Sequence, residues 1–272
     1  ARLALQERND ADYLVPGQGI PRVPMDRWLQ AVQAENLHWF EPEGKSKRRA
    51  DDRNLRHTNR FAGYEALAGM RFNHALEFGC GPFTNLRFIG RACDIKSCSL
   101  LDPAIKAYSG HTGAYFDSDH LYLAPRSQYW PALWKRGSTV LKWGMANQRW
   151  RIPIRQFIAS GAEDASGHTA DLVVLLNVLE HCRDAPLVIQ QVLATLMPGG
   201  VAVIGDKVHQ HSSVSANVHR FFDVAHPLRV TREVFEPLFE VSQVLFESKS
   251  LDPVSKWLPA TYEHYWILQR HA

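Results

Sequence analysis

The chain has little net charge. Its 31 lysines and arginines nearly balance 28 acidic residues, leaving +3 with thirteen histidines uncounted. That is too mild for a phosphate-tracking groove, so no nucleic-acid partner is expected. Cysteine is scarce as well: Cys80, Cys93, Cys98 and Cys182 show no C-x-x-C spacing. This argues against a disulfide framework or a zinc ribbon and predicts a reduced, cytoplasmic protein with thiols in its core. No apolar run is long enough to span a bilayer, so no membrane partner is expected. No signal peptide is visible, and the chain opens at Ala1 without an initiator Met, as a processed protein or an excised domain would. Internal repeats are absent too. What remains is 45% hydrophobic and 22% charged residues in 272, enough for an ordinary core in one large or two small domains.

The most informative stretch is NHALEFGCGPFTNL, Asn73 to Leu86. Ala75, Leu76 and Phe78 read as a short buried strand that runs into a glycine turn and a helix start. Gly79 and Gly81 bracket Cys80 and let the backbone take positive φ close to a ligand. Pro82 suits a first helical turn, where its missing N–H costs nothing. Glu77, at the strand end, can meet a cationic or hydroxyl-bearing ligand. Such a turn at the carboxyl edge of a parallel sheet binds nucleotide cofactors. A dinucleotide fingerprint would place a third glycine where this chain has Thr84.

Around this stretch the chain alternates strands and helices. Residues 1–24 are rich in Pro and Gly and read as an extended arm. An amphipathic helix capped by Asp26 follows, then the charge-dense EPEGKSKRRADDRN, then a helix from Asn54 to Met70. The predicted strands are Ala75–Phe78, Ser97–Leu101, Ile152–Ala159, Asp171–Leu176 and Val201–Gly205. The pair Glu240–Phe246 and Tyr262–Leu268 closes the chain. The apolar run DLVVLL suits a strand buried on both faces. A helix over Pro186–Met197 is capped by Asp184 and stopped by Pro198-Gly199-Gly200. Residues 104–151 far exceed an ordinary crossover of about a dozen residues. That insertion is rich in Tyr and Trp, Tyr129 and Trp130 among them. It packs on the sheet, walls a substrate pocket, or forms a homodimer surface.

The string E-F-G-C-G-P-F-T resembles motif I of class I S-adenosylmethionine-dependent methyltransferases, departing from it at Phe83, where many members carry glycine. Asn177 to His181, NVLEH, matches the family's fourth motif residue by residue, and LMPGGVAVIGD matches the turn and strand that follow. The resemblance covers about Ala75 to Asp206, plus the terminal strand pair. It implies an α/β fold with a doubly wound, mostly parallel seven-stranded sheet and an antiparallel terminal pair. An N-terminal helical cap over residues 1–72 would close on a cofactor domain over 73–272. The implied cofactor is S-adenosylmethionine, held by Glu77, Gly79, Cys80, Gly81, Thr84, Asp102, Pro103, Ala162, Glu163, Asn177 and Val178. Asp102 stands about twenty residues past the turn, where a carboxylate accepts ribose hydroxyls. Gly161 stands where many members carry Asp.

On the acceptor side the implied base is His181, with His209 second, beside Asp206, His211, Tyr129 and Trp130 as substrate contacts. The expected reaction is methyl transfer to oxygen or nitrogen of a small molecule, one with a carboxylate or phosphate if the nearby lysines and arginines face it. The [DN]-P-P-[YF] string of exocyclic-amine methylation is absent, and Asp206 alone makes no Mg²⁺ site. The His-x-His pair at 209 and 211 invites a metal, but no cysteine or paired carboxylate stands nearby in sequence, so no metal is expected. An NAD-dependent oxidoreductase and a non-catalytic cofactor-binding module remain as alternatives.

Overall fold

The computed structural model describes residues 13–40, 54–108, 116–123, 151–210, 214, 224–251 and 261–272, the side chains of 36–40 excepted. In chain order the strands are β1 (Gly19–Ile20), β2 (Arg71–Phe72), β3 (Ala75–Phe78), β4 (Asp94–Ile95), β5 (Cys98–Leu101) and β6 (His120–Tyr122). They continue with β7 (Arg151–Ile158), β8 (Ala170–Leu176), β9 (Leu196–His209), β10 (Arg229–Val230), β11 (Ser242–Leu251) and β12 (Thr261–Arg270). Eight form one sheet in the order β11-β12-β9-β8-β3-β5-β7-β6. The ladders among β9, β8, β3, β5 and β7 are parallel. The chain leaves β3 toward β5 and β7, then returns to β8 and β9 on its other side. The strand order therefore reverses between β3 and β8, where a parallel sheet opens a crevice for ligands at its carboxyl edge.

Burial follows the pleat. Leu76, Phe78, Val173, Leu175, Ala202 and Ile204 face one apolar layer with Val188, Ile189 and Val192 of the Ala185–Thr195 helix. Ala75, Leu172, Val174, Val201 and Val203 face the other, with Phe61, Tyr64 and Leu67. Both faces of β8 are thus covered, which is why DLVVLL has no polar alternation. The Ala185–Thr195 helix starts where Asp184 accepts from the Leu187 amide at 3.0 Å, a cap worth about 1 kcal/mol.

Among the described residues the sheet has eight strands where the sequence predicted seven. The extra edge strand, β6, comes from within the 104–151 insertion and pairs antiparallel with β7. It is only His120-Leu121-Tyr122, too short for a legible period. The tight turn before it depends on Asp117, which accepts from the Asp119 and His120 amides at 2.8 Å each. The predicted helix over Asn54–Met70 is also two pieces, Asn54–Arg60 and a 3-10 segment Ala62–Leu67. Ala62, Gly63 and Tyr64 take positive φ between them. That break lets Phe61 and Tyr64, both fully buried, stack at 5.0 Å. The helix expected to reach Met197 stops at Thr195, and buried Leu196 already pairs with Ala170. Pro198-Gly199-Gly200 falls in a bulge of the β8–β9 ladder, where the register jumps from Ala170↔Leu196 to Leu172↔Val201.

The N-terminal segment is tied to this body. β1 pairs with β10, Val23 donates to the Arg183 carbonyl at 2.9 Å, and Ala185 donates to that of Pro21 at 2.9 Å. The helix Met25–Phe40 starts after Pro24, with Asp26 in its first turn, and Trp28 Nε1 donates to the His181 carbonyl at 3.2 Å. β11 and β12 form the predicted antiparallel pair, with β12 against β9. All four cysteines are free and buried. No helix among the described residues is long and apolar enough to cross a membrane.

Candidate cofactor and acceptor site

The turn after β3 is built on Glu77. Its carboxylate is fully buried and accepts from the Thr84 hydroxyl, the Asn85 amide at 2.7 Å, Asn85 Nδ2 at 3.0 Å and the Leu86 amide at 3.4 Å. Those donors satisfy it from below the turn. Burial raises the Glu77 pKa, and these hydrogen bonds work against the rise. The two glycines serve different ends. Gly79, at φ +60, has Val178 beneath it: a Cβ there would lie 2.6 Å from Val178 Cγ2. Gly81, at φ +53, faces open space, with no atom within 4 Å of where a Cβ would stand. Cys80 is buried and Thr84 fully so.

Asp102 closes β5, the strand beside β3. It is 8% exposed. Its Oδ2 accepts from the Gly81 amide at 3.1 Å and its Oδ1 from the Ala104 amide at 2.8 Å. Burial pushes its pKa up to about 6, the two amides oppose that, and the charge of Glu35 adds to it. Pro103, next to it, is exposed. On the other side of β3, Asn177 follows β8 at φ +59. The Val178 and Leu179 amides donate to Asp206 Oδ2 at 3.1 and 2.8 Å, and Lys207 N to its Oδ1 at 2.8 Å. Asp206 thus buttresses the loop after β8, its pKa raised by burial first and by neighbouring Glu180 second. Ala162 and Glu163 lie in the turn after β7, both buried. Glu163 Oε1 accepts from the amides of Arg183 and Asp184 at 2.6 and 3.1 Å, joining that turn to the segment after β8.

His181 sits at the same edge in the turn Leu179–His181, its side chain 25% exposed. Its Nδ1 is 3.3 Å from the Ala225 carbonyl and 3.8 Å from Glu35 Oε2, and its ring is 4.4 Å from that of His226. Burial, then the neighbouring His226, lowers its pKa and keeps the ring neutral near pH 7. Glu180 holds Lys207 Nζ at 2.8 and 3.0 Å. Burial works to raise the Glu180 pKa, but His226, Lys207 and His181 outweigh it and hold the carboxyl below the usual range. His209 closes β9 opposite Thr261, with its Nδ1 3.5 Å from the Thr261 hydroxyl. Burial drives its pKa down to about 3, with Arg229 adding to the fall.

The structure thus brings together Gly79, Gly81, Asp102, Val178 and Asp206 along one edge. Tyr129, Trp130, His211 and the run 41–53 lie outside the described residues. Two residues escaped the sequence reading, Glu35 and Lys207, while His226 stood out only as one of the histidines in the segment after the fifth predicted strand. Glu35 lies on the N-terminal helix, yet its charge reaches both Asp102 and His181. Nothing local in the sequence marks it.

A glycine turn and a buried acid stand on neighbouring parallel strands beside the strand-order reversal, an arrangement common to nucleotide-cofactor folds. The chain matches the family model of the methyltransferase domain over residues 25–240 and belongs to that family. Its class is that of the S-adenosylmethionine-dependent methyltransferases. No curated protein sequence matches the chain. Among solved structures it is similar to the N-methyltransferase NodS from Bradyrhizobium japonicum WM9 in complex with S-adenosyl-l-homocysteine. The TM-score is 0.52 at 15% identity, over 89% of this chain and 98% of that one. It is also similar to the 1,6-didemethyltoxoflavin-N1-methyltransferase of Burkholderia thailandensis. There the TM-score is 0.48 at 14% identity, over 91% of this chain and 89% of that one.

Proposed function

We propose that this chain transfers a methyl group to an oxygen or nitrogen of a small-molecule acceptor, with S-adenosylmethionine held along the edge from Gly81 to Asp102. The observation that carries the reading is the Gly81–Asp102 hydrogen bond at 3.1 Å. It joins the open face of the turn to a buried carboxylate whose charge lacks a cationic partner in the described contacts. A ribose diol supplies two hydroxyl donors of the kind that carboxylate can accept, and Gly81 leaves room for the ligand. The residues present therefore fit the cofactor.

When bound, S-adenosylmethionine supplies a methyl group already activated on a sulfonium. The chain's own part is alignment and exclusion of water. Glu77 holds the shape of the turn from beneath. Asp206 fixes Val178 and Leu179, and Glu163 fixes the segment that carries Arg183 and Asp184. Residues 1–72 act as a cap, with Glu35 reaching over both Asp102 and His181. On the acceptor side we assign His181, neutral at pH 7 and suited to take or hold a proton. His209 is too deeply buried and too weakly basic for that part. An acceptor bearing a carboxylate or phosphate rests on sequence alone, on the basic run Lys45, Lys47, Arg48 and Arg49 outside the described residues.

The test is calorimetric titration with S-adenosylhomocysteine, with NADH as control. Micromolar binding of the first and none of the second supports the reading. Binding of NADH alone would overturn it in favour of an oxidoreductase.

A further inference from the structure

Three side chains of metal-ligating type meet at the acceptor side of this edge. His226 Nε2 lies 3.6 Å from Glu180 Oε1, and His181 Nε2 lies 3.8 Å from the same oxygen. One ligand atom from each of the three falls within 4.8 Å of the others. Donors sharing one cation at bond lengths of about 2.1 Å stand roughly 3–3.5 Å from each other, so only small side-chain shifts separate this arrangement from a bound site. The second nitrogen of His181 is already engaged: Nδ1 faces the Ala225 carbonyl at 3.3 Å and Glu35 Oε2 at 3.8 Å. A proton on Nδ1 leaves the Nε2 lone pair aimed at Glu180. This is the outer arrangement that metal-ligating histidines use to fix tautomer and ring orientation.

The competing explanation is an ion pair alone. Lys207 Nζ sits on both Glu180 oxygens, at 3.0 and 2.8 Å. That pair accounts for the burial of Glu180. It does not by itself explain why two imidazole nitrogens from separate segments converge on one of its oxygens, at 3.6 and 3.8 Å.

We infer that Glu180, His181 and His226 bind one divalent cation of the Mn²⁺-to-Zn²⁺ series. Two imidazoles and one carboxylate suit those ions rather than Ca²⁺ or Mg²⁺, which prefer all-oxygen sets. Three protein ligands leave coordination positions for an acceptor oxygen. This use of the site rests on the methyltransferase reading above. An acceptor hydroxyl on the cation loses its proton to solvent water. Its oxygen then forms the bond to the methyl carbon as the carbon–sulfur bond breaks, and sulfur leaves as a neutral thioether. With the cation in place, His181 acts on the acceptor proton through the metal, a route that replaces direct proton transfer to its ring.

The experiment uses the full chain, stripped with a chelator and titrated with Co²⁺ and then Zn²⁺, followed by calorimetry and the visible spectrum of Co²⁺. The expected result is one Co²⁺ per chain with ligand-field bands, displaced by Zn²⁺. His226→Ala should weaken binding roughly 100-fold or more, beyond what loss of an outer partner does. Lys207→Met should tighten it by removing the competing ammonium. Absence of stoichiometric binding by the wild type overturns the inference. So does equal affinity in His226→Ala and Glu180→Gln, which would mark adventitious binding at other histidines. Titration of the same proteins with S-adenosylhomocysteine separates the two readings. Cofactor binding without metal binding overturns only the metal site. Metal binding without cofactor binding overturns the methyltransferase use of it.

Discussion

The backbone amide of Gly81 donates to the carboxylate of Asp102 at 3.1 Å, linking the ends of two adjacent parallel strands. The contact orients the carboxylate and leaves its remaining lone pairs for a ligand. Asp102→Ala should therefore weaken S-adenosylhomocysteine binding by about 1–3 kcal/mol, the usual loss for a buried hydrogen-bonding group. Calorimetry on the variant checks this. Unchanged affinity would remove Asp102 from the cofactor site.

Binding should also depend on pH through the same group. The free protein holds Asp102 with a pKa raised to about 6. Ligand hydroxyls stabilise the ionised form, so the bound pKa must be lower and binding releases a proton below about pH 6. Affinity should thus rise with pH up to about 6 and then level off. Asp102→Asn should flatten that part of the profile. A wild-type affinity independent of pH between 5 and 7 would contradict the assignment.

Gly79 is needed for close packing, not for access. A Cβ there would lie 2.6 Å from Val178 Cγ2, and φ is +60. Gly79→Ala should cost about 1–3 kcal/mol from strain and overpacking together. Adding Val178→Ala should recover the packing share but not the backbone share, giving a non-additive double-mutant cycle in urea unfolding. Strict additivity would mean the two residues do not meet.

Asp184 has two partners of unequal worth. It caps the helix Ala185–Thr195 through the Leu187 amide and pairs with Arg22 Nε at 2.5 Å. The Arg22 side chain is 63% exposed, so solvent screens that pair. Asp184→Ala should cost about 1 kcal/mol through the lost cap. Arg22→Ala should change stability only slightly. Chemical denaturation of both variants checks the ranking.

What was legible in the sequence was local. Strand β3, its glycine turn and the buried run of β8 could be read because their pattern lies within a few residues. So could the Asp184 cap, which needs only the Leu187 amide three positions on. What could not be read was long-range or set by a break in pattern. β6 has no period at three residues. The kink at Ala62–Tyr64 arises because Phe61 and Tyr64 both turn inward, a tertiary demand that overrode helix propensity. Glu77 and Asp206 look like ligand-facing acids at strand ends, yet their oxygens are taken by loop amides that no spacing rule names. His181 stood out in its own string, but its meeting with Glu35 and His226 joins three separate segments and follows from no local pattern.

The two histidines singled out for chemistry should separate on mutation. His181 lies at the strand edge with its ring partly exposed and ringed by Glu35, Glu180 and His226. Its removal should lower kcat by about 100-fold or more, the range for loss of a group that manages the acceptor proton, directly or through a bound ion. Affinity for S-adenosylhomocysteine should stay nearly intact, because the cofactor contacts assigned above lie on β3, β5 and the start of the loop after β8. His209 is buried opposite Thr261, and burial keeps its ring in the neutral form near pH 7. His209→Ala should cost stability, about 1–3 kcal/mol for a buried polar side chain, while changing kcat little at temperatures where the variant stays folded. Turnover assays with an acceptor found by screening, run beside thermal unfolding, check both variants. A large kcat loss in His209→Ala with stability unchanged would reverse the two assignments, moving the acceptor side from the turn after β8 to the end of β9.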